Sequence, residues 1–515
     1  MPAVRCRDLV ALLPPPRRRG CHVALGKRRT HRSRRTGRLR PASQPRRAAA
    51  GLAGHAPAGP LERGPRRRPA VGACGTHAPG VSTALPRCGP ARRHGAAGLA
   101  GPGHHPLDLP ARGGRAMSGS SARPVGRAMT ATMAAERRWQ VLVIGGGPAG
   151  AACGLVLARA GLEVAIIERS RMPRGKLCGC CLSPRAVDEL AGLGLGDPRG
   201  SLGAVPLHDV TLVAGRRRVT LPMPGGMSLS RNRLDASIVG RAVEQGCSLV
   251  AETTATGIAE SAGGVEIACR TAADPSRPEA RATLEAECVV LASGLADSVR
   301  LCGASGIALR RPAADSRMGL GATFAAEAMP LPEGELRMSV GRGGYCGIVR
   351  LEDGRIDVAA AVDPRRVREA GPADTLRRLL EEAGLSPPSI DPREVRGTPA
   401  MTHTSLRAAG RIFRTGDAAG YVEPFTGEGI GWALCGGRLL AEAIAAATDE
   451  GGLDLAAAAA RYVRRHDAAL AAARRRCRLV TMALRWPPLL ELAVRGMAVA
   501  PRRAAPLVRL VTGAA

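Results

Sequence analysis

The most organised run of apolar positions begins at "VLVI", Val141 to Ile144, unbroken and β-branched, the pattern of a strand buried on both faces. Glycines end it, small and aliphatic residues from Ala149 to Ala160 predict a helix, Gly161 stops that helix, and "LEVAIIE" predicts a second buried strand. "AECVVLASGLADSVR", Ala286 to Arg300, repeats the pattern of a buried strand ending in a turn of small residues. Two stretches alternate instead: "LHDVTLVAGRRRVTLPM" predicts a hairpin, and "GGYCGIVRLEDGRIDVAAAV" predicts two strands around Asp353 and Gly354. From Leu453 the chain turns to Ala, Leu and Arg, which favour helix, until Pro487 and Pro488 break it. Strands alternating with helices make this an α/β chain.

Composition divides the 515 residues in two. Residues 1 to 135 hold 26 Lys and Arg against three acids, leaving 49 against 40 for the rest, so most of the net charge of +32 sits in the first quarter. That segment has no Phe, Tyr or Trp and is written in Arg, Pro, Gly and Ala, so it buries too little apolar surface to offset chain entropy and reads as disordered. Its basic runs suit phosphate contacts, but no aromatic is interleaved to stack on bases, so no specific nucleic acid is expected. It reads more simply as a start assigned too early, with Met117, Met129 or Met133 as the true beginning. No secretory signal and no membrane-spanning run is visible, and fifteen cysteines scattered without paired spacing suit a reducing, cytoplasmic compartment.

The chemistry starts at Gly145, Gly147 and Gly150, a G-x-G-x-x-G between strand and helix. Such glycines give a tight turn, close approach of backbone to a pyrophosphate, and close packing of helix on strand; the helix N-terminus supplies amide donors. Glu168, with Arg169 beside it, follows Gly150 by 18 residues at the end of the second strand, where a carboxylate accepts ribose hydroxyls. An acid there favours an unphosphorylated adenosine ribose, hence FAD or NAD.

"RIFRTGDAAGYVEPFTGEGIGWALCGGRLLAEAI", Arg411 to Ile444, resembles the late G-D motif and proline-glycine loop of the flavoprotein hydroxylase and geranylgeranyl reductase superfamily. The resemblance implies that Gly416 and Asp417 meet the ribityl chain of FAD, and that "PFTGEGI", with Pro424, Gly427, Gly429 and Ile430, wraps the isoalloxazine. "SRNRLDASIVGRAVEQG" matches the R-x-x-(F/L)-D-x-x-(L/I) helix of that family, which implies Arg231 near FAD and Asp235 fixing the helix. "AECVVLASGLADSVR" is similar to an A-D-G-x-x-S-x-v-R segment, but Ser293 replaces the acid used by the hydroxylase branch with pyridine nucleotide. The resemblance spans about Arg138 to Ala446 and implies a Rossmann-like, glutathione-reductase-like FAD-binding domain with an inserted mixed-β-sheet substrate domain and C-terminal helices. The expected divisions are 136–204, 229–312 and 399–450 for the FAD-binding domain, 205–228 and 313–398 for the substrate domain, and 451–515 for a basic helical segment.

"KLCGCCLSPRAVDELAGLG" is similar to the C-G-x-x-(L)-S-P-x-A segment of geranylgeranyl-reductase-like oxidoreductases, which implies Cys178 at the reactive face, gating or donating a proton. C-x-C-C lacks a partner cluster, so no metal is expected. Flavin halogenases carry W-x-W-x-I-P; the only tryptophans here are Trp139, Trp432 and Trp486. Three reactions stay open: hydride transfer to a double bond of a hydrophobic small molecule, NAD(P)H-dependent hydroxylation of an aromatic or polyketide, and dehydrogenation. The other class is a non-catalytic flavoprotein or a nucleic-acid-binding protein acting through its basic tail. No histidine or carboxylate of the substrate sheet stands out as an acid or base, and His208 and His403 read as exposed or structural. The C-terminal arginines among aliphatic residues suit either a helical cap or peripheral contact with an anionic membrane.

Overall fold

The computed structural model describes residues 128–271, 280–295, 299–302, 311–423, 425–501, 503, 504, 506 and 508. The disorder expected of residues 1–127 and the role expected of Pro424 lie outside them. Strand β1 (Ala128–Met129) and helix α1 (Ala131–Ala135) precede β2 (Arg138–Ile144), α2 (Pro148–Arg159) and β3 (Val164–Ile167). Then follow β4 (Cys181–Leu182), α3 (Pro184–Gly192), β5 (Val205–Ala214), β6 (Arg217–Ser228), α4 (Arg231–Glu244), β7 (Ser248–Val250), β8 (Thr253–Glu260), β9 (Val265–Thr271) and β10 (Arg281–Leu291). The second half adds β11 (Met318–Phe324), β12 (Glu335–Gly341), β13 (Gly344–Arg350), β14 (Ile356–Val362), α5 (Pro372–Glu382), β15 (Arg396–Ala400) and β16 (Ile412–Arg414). Helices α6 (Gly429–Ala445), α7 (Leu455–Ala483) and α8 (Pro487–Val499) close the chain.

The first sheet runs β1-β7-β3-β2-β10-β9-β8, with β16 beside the end of β10. Its centre is parallel, and burial on both faces explains why β2 is apolar without alternation. Val141 and Val143 enter the core that holds α2, α4 and α6, while Leu142 and Ile144 enter the opposite core with Trp139 and Ile267. One correction concerns residues 128–135, expected to be without structure. Ala128 and Met129 pair with β7, Ala131 and Ala134 are buried, and the Trp139 indole donates to the Ala134 carbonyl at 2.9 Å.

The second sheet has eight strands in the order β15-β11-β14-β13-β12-β5-β6-β4, antiparallel except where β5 meets β12. Its two faces follow from period-two alternation. Ile356, Val358, Ala360 and Val362 of β14 pack with α5, whereas Ala361 joins Val210, Leu221 and Tyr345 on the other face. The cysteine segment crosses between the sheets: Cys181 pairs with Ser228, making β4 an edge strand of the second sheet rather than part of the first. Helix α7 caps the first domain with Ala458, Tyr462, His466, Leu470, Ala473 and Cys477, a stripe spaced by three or four residues. The Tyr462 hydroxyl donates to the Arg414 carbonyl at 2.8 Å.

Candidate functional site

Where β2 turns into α2, Gly145 adopts φ 111° and donates to the Ile167 carbonyl; an added Cβ would come within 2.5 Å of the Ala292 oxygen. A Cβ on Gly150 would overlap the Gly145 carbonyl, so this turn admits no side chain at either position. Gly147 is different. It is the N-cap of α2, no side chain caps the helix, and a Cβ there would meet only the guanidinium tips of Arg174 and Arg231, each 3.7 Å away. The first turn of α2 therefore opens its amide dipoles onto a space framed by two cations, the setting for an anion such as a pyrophosphate.

Glu168 is buried just beyond β3. One carboxylate oxygen accepts the Gly146 amide at 2.8 Å, the other accepts the Ser170 amide at 3.0 Å, and Arg174 Nε stands 3.3 Å away. Arg169 is exposed at the surface. Arg231 opens α4 and donates through Nε and Nη2 to the two oxygens of Asp235 at 2.8 and 2.7 Å; Arg174 Nη2 lies 3.3 Å from the same carboxylate. Asp235 has no exposed surface, and with Glu168 it offsets the two arginines and holds them where a solvated side chain would wander. Lys176 joins them: burial first, then Arg231, pushes its ammonium below the usual lysine range.

The late motif arrives from the other side. Gly416 sits beside Ala149 of α2, half-buried Asp417 interacts with Lys176, and α6 starts at Gly429 with Ile430 buried. Glu428 is the N-cap of α6 without a capping side-chain bond, so a second helix N-terminus is open. Gly427 adopts φ 72°, and a Cβ there would stand 3.5 Å from Cys181 Cβ, so this loop and the cysteine segment face one another. Phe425 meets Tyr345 of β13 edge to face at 5.1 Å, which closes the second sheet onto the loop. The Tyr345 hydroxyl is buried without a hydrogen-bond partner, and burial, then Glu423, holds it protonated.

Cys178 lies in the centre of this arrangement. A hydrogen bond from the Cys180 thiol and the positive charge of Arg231 outweigh burial and bring its thiol down to about 6. Cys180 moves the opposite way, because its proton bridges to Cys178 and it is buried. Its backbone takes φ 51°, uncommon for a side-chain-bearing residue. Behind Cys180 stands Asp357, raised to about 8 by burial and by the negative charge of Cys178, with one oxygen unpartnered and the other 3.5 Å from the Thr323 hydroxyl. A carboxyl of the second sheet does stand out, contrary to the sequence expectation. Asp357 was legible only once the strand's register was known: Asp357, Ala359 and Ala361 share one face of β14, and Gly179 rests against Ala359. Lys176 and Arg174 were also missed, having no periodic or motif signal of their own. His208 is exposed, and His403 is buried with its Nδ1 2.9 Å from the Met401 carbonyl, both as expected.

A family model described as FAD binding domain matches residues 138–474. The menaquinone reductase of Mycolicibacterium smegmatis is 28% identical over 402 residues, 70% of this chain and 91% of that protein. The kynurenine 3-monooxygenase of Salinispora arenicola is 27% identical over 351 residues, 57% and 70% of the two chains. Among solved structures, a geranylgeranyl bacteriochlorophyll reductase-like protein from Thermoplasma acidophilum superposes with a TM-score of 0.56 at 17% identity, over 73% of this chain and 92% of that one, and shares the fold.

Proposed function

The chain belongs to the FAD binding domain family, an FAD-dependent oxidoreductase, and from that premise we propose that it reduces a carbon–carbon double bond of a hydrophobic, isoprenoid-bearing molecule. The described residues fit FAD: two uncapped helix N-termini, the glycine turn and the cations Arg174, Lys176 and Arg231 suit its pyrophosphate. When bound, FAD supplies hydride chemistry; NAD(P)H is the donor we propose for it.

The observation that carries the reading is the line Arg231, Cys178, Cys180, Asp357 on the apolar face of the second sheet. Saturating a double bond takes a hydride and a proton. Cys178 is shifted toward the thiolate, while Cys180 and Asp357 are shifted toward holding their protons. A proton passing from the Asp357 carboxyl through the Cys180 thiol to Cys178 Sγ would reach the side on which substrate lies. The surrounding Val210, Leu221, Tyr345 and Phe425 exclude water and favour an apolar substrate. The resemblance to a menaquinone reductase supports a prenylated quinone as the first substrate to try.

Hydroxylation is the second reading, favoured by the match to a kynurenine monooxygenase and opposed by Ser293 in place of an acid. Anaerobic turnover with NAD(P)H and menaquinone decides between them. Two hydrogens gained on the isoprenoid chain without oxygen, and kept after the quinol is reoxidised to the quinone, support the reductase; product that forms only with oxygen and gains an oxygen atom overturns it.

A further inference from the structure

The residues of large apolar side chains that stand exposed are unevenly spread. Of eight among the described residues, six fall between 479 and 499: Leu479, Met482, Trp486, Leu489, Leu492 and Val499, at 52 to 83% exposed. Helix α8 is apolar on two opposite sides. Leu490, Val494 and Met497 face inward and join the cluster of the second sheet, packing on β5 and β6. At 100° per residue, Leu489, Leu492, Gly496 and Val499 form the opposite stripe, which faces water. A helix apolar on both sides is stable in water only where each side has a partner.

The charge around this stripe is mostly positive, with Glu491 on α8 and Asp315 paired to Arg485 as the acids beside it. Exposed Arg475 and Arg478 lie on α7 and Arg495 on α8, and the tip of the β5–β6 hairpin adds exposed Arg216, Arg217 and Arg218. That tip abuts α8, because the Glu491 carboxylate lies over Gly215. Glu491 is the one acid between residues 475 and 503. A second copy docking here through a two-fold axis would bring arginine rims against each other. An anionic bilayer meets both needs, apolar depth for the leucines and phosphates for the arginines, with Trp486 at the depth that indole rings prefer. No described helix is long and apolar enough to cross a membrane, so the contact is with one leaflet.

We propose that α8 and the end of α7 dock this protein on the surface of an anionic bilayer, with the Leu489–Leu492–Val499 stripe immersed and the arginines of α7, α8 and the β5–β6 tip on the headgroups. The inner side of α8 belongs to the same apolar cluster as Tyr345 and Phe425. On the reading that the substrate is isoprenoid, a molecule dissolved in the leaflet would reach the site beside α8 without entering water. The docking itself does not depend on the reaction.

The test is sedimentation of the full chain with vesicles of phosphatidylcholine alone or with 30% phosphatidylglycerol. The paired variant is Leu489→Glu with Leu492→Glu, both exposed, which keeps every residue of the basic segment 1–127. We expect the unaltered protein to pellet with anionic vesicles, at least tenfold less with neutral ones or in high salt, and the variant to lose most of its binding while keeping bound flavin. Trp139 and Trp432 are buried, so a blue shift of indole fluorescence on adding anionic vesicles reports Trp486, and it should vanish in Trp486→Phe. Equal pelleting of variant and parent would overturn the proposal in favour of the basic segment. A self-association in ultracentrifugation that the variant abolishes, without vesicle binding by the parent, would overturn it in favour of a second copy.

Discussion

The two sides of the site are built by opposite electrostatic strategies. On the dinucleotide side, Glu168, Arg174, Asp235 and Arg231 form a chain of contacts at 2.7 to 3.3 Å, so each of these buried charges has a partner. On the substrate side, Cys178, Cys180, Asp357 and Tyr345 sit among apolar residues and adjust their proton affinities instead. Paired charges fix a geometry and resist change. Desolvated groups with displaced affinities hold and release protons. On the proposed reaction, a site that grips FAD and moves protons toward a substrate needs both.

The sharpest way to break the comparison is at Asp235. Asp235→Ala leaves the buried Arg231 guanidinium without its carboxylate and Arg174 with Glu168 alone, and should cost on the order of 3–5 kcal/mol and abolish retention of flavin. Denaturant unfolding and flavin absorbance after gel filtration check this; a variant that keeps its yellow colour and its midpoint would show that the ion pairs do not hold the site. Gly437→Ala comes next. Its Cβ would overlap the Ala149 carbonyl where α6 crosses α2, so about 1–3 kcal/mol should be lost through overpacking, measured the same way.

On the substrate side the expected effects are changes in pH dependence. Folding raises Asp357 from 3.8 to about 8, so the folded protein holds this proton more tightly than the unfolded chain. The stabilisation is complete below the unfolded value and is lost as pH rises through about 8, at up to about 1.4 kcal/mol per pH unit. Asp357→Asn, which resembles the protonated acid, should flatten the fall of Tm between pH 5 and 9; an unchanged slope would assign that fall to other groups. Cys178 should react with iodoacetamide with a half-maximal rate near pH 6, located by peptide mass spectrometry. Arg231→Gln should shift that midpoint upward, since the thiolate loses its nearest cation. His208→Ala, at an exposed position of β5, should change stability by less than about 0.5 kcal/mol and leave both titrations alone.

Much of the dinucleotide side was legible in the chain because its determinants are local. Glycines in a fixed spacing are required by the backbone itself, and Gly145 and Gly150 admit no side chain for reasons a strand-turn-helix already contains. Arg231 and Asp235 were identified by the resemblance of their helix to a family motif, and their pairing, four residues apart, appeared only in the folded helix. Residues 128–135 escaped notice because their composition matches the segment before them; only pairing with β7 and the Trp139 contact distinguish them. Asp357 escaped for the converse reason, a single acid whose importance depends on a thiol 177 positions earlier in the chain.

The sequence by itself determined the α/β class, the glycine turn and the two alternating hairpins, from periodicity and backbone constraint within a few tens of residues, while the late G-D loop was identified by its resemblance to a flavoprotein motif. Tertiary structure alone decided that the Cys178 thiol is pushed down beside a carboxyl that burial pushes up, and that the apolar helix α8 keeps one side on the second sheet and leaves the other uncovered. Proton affinity and exposure are set by what surrounds a group in space, through desolvation and nearby charge, and residues distant along the chain supply those surroundings.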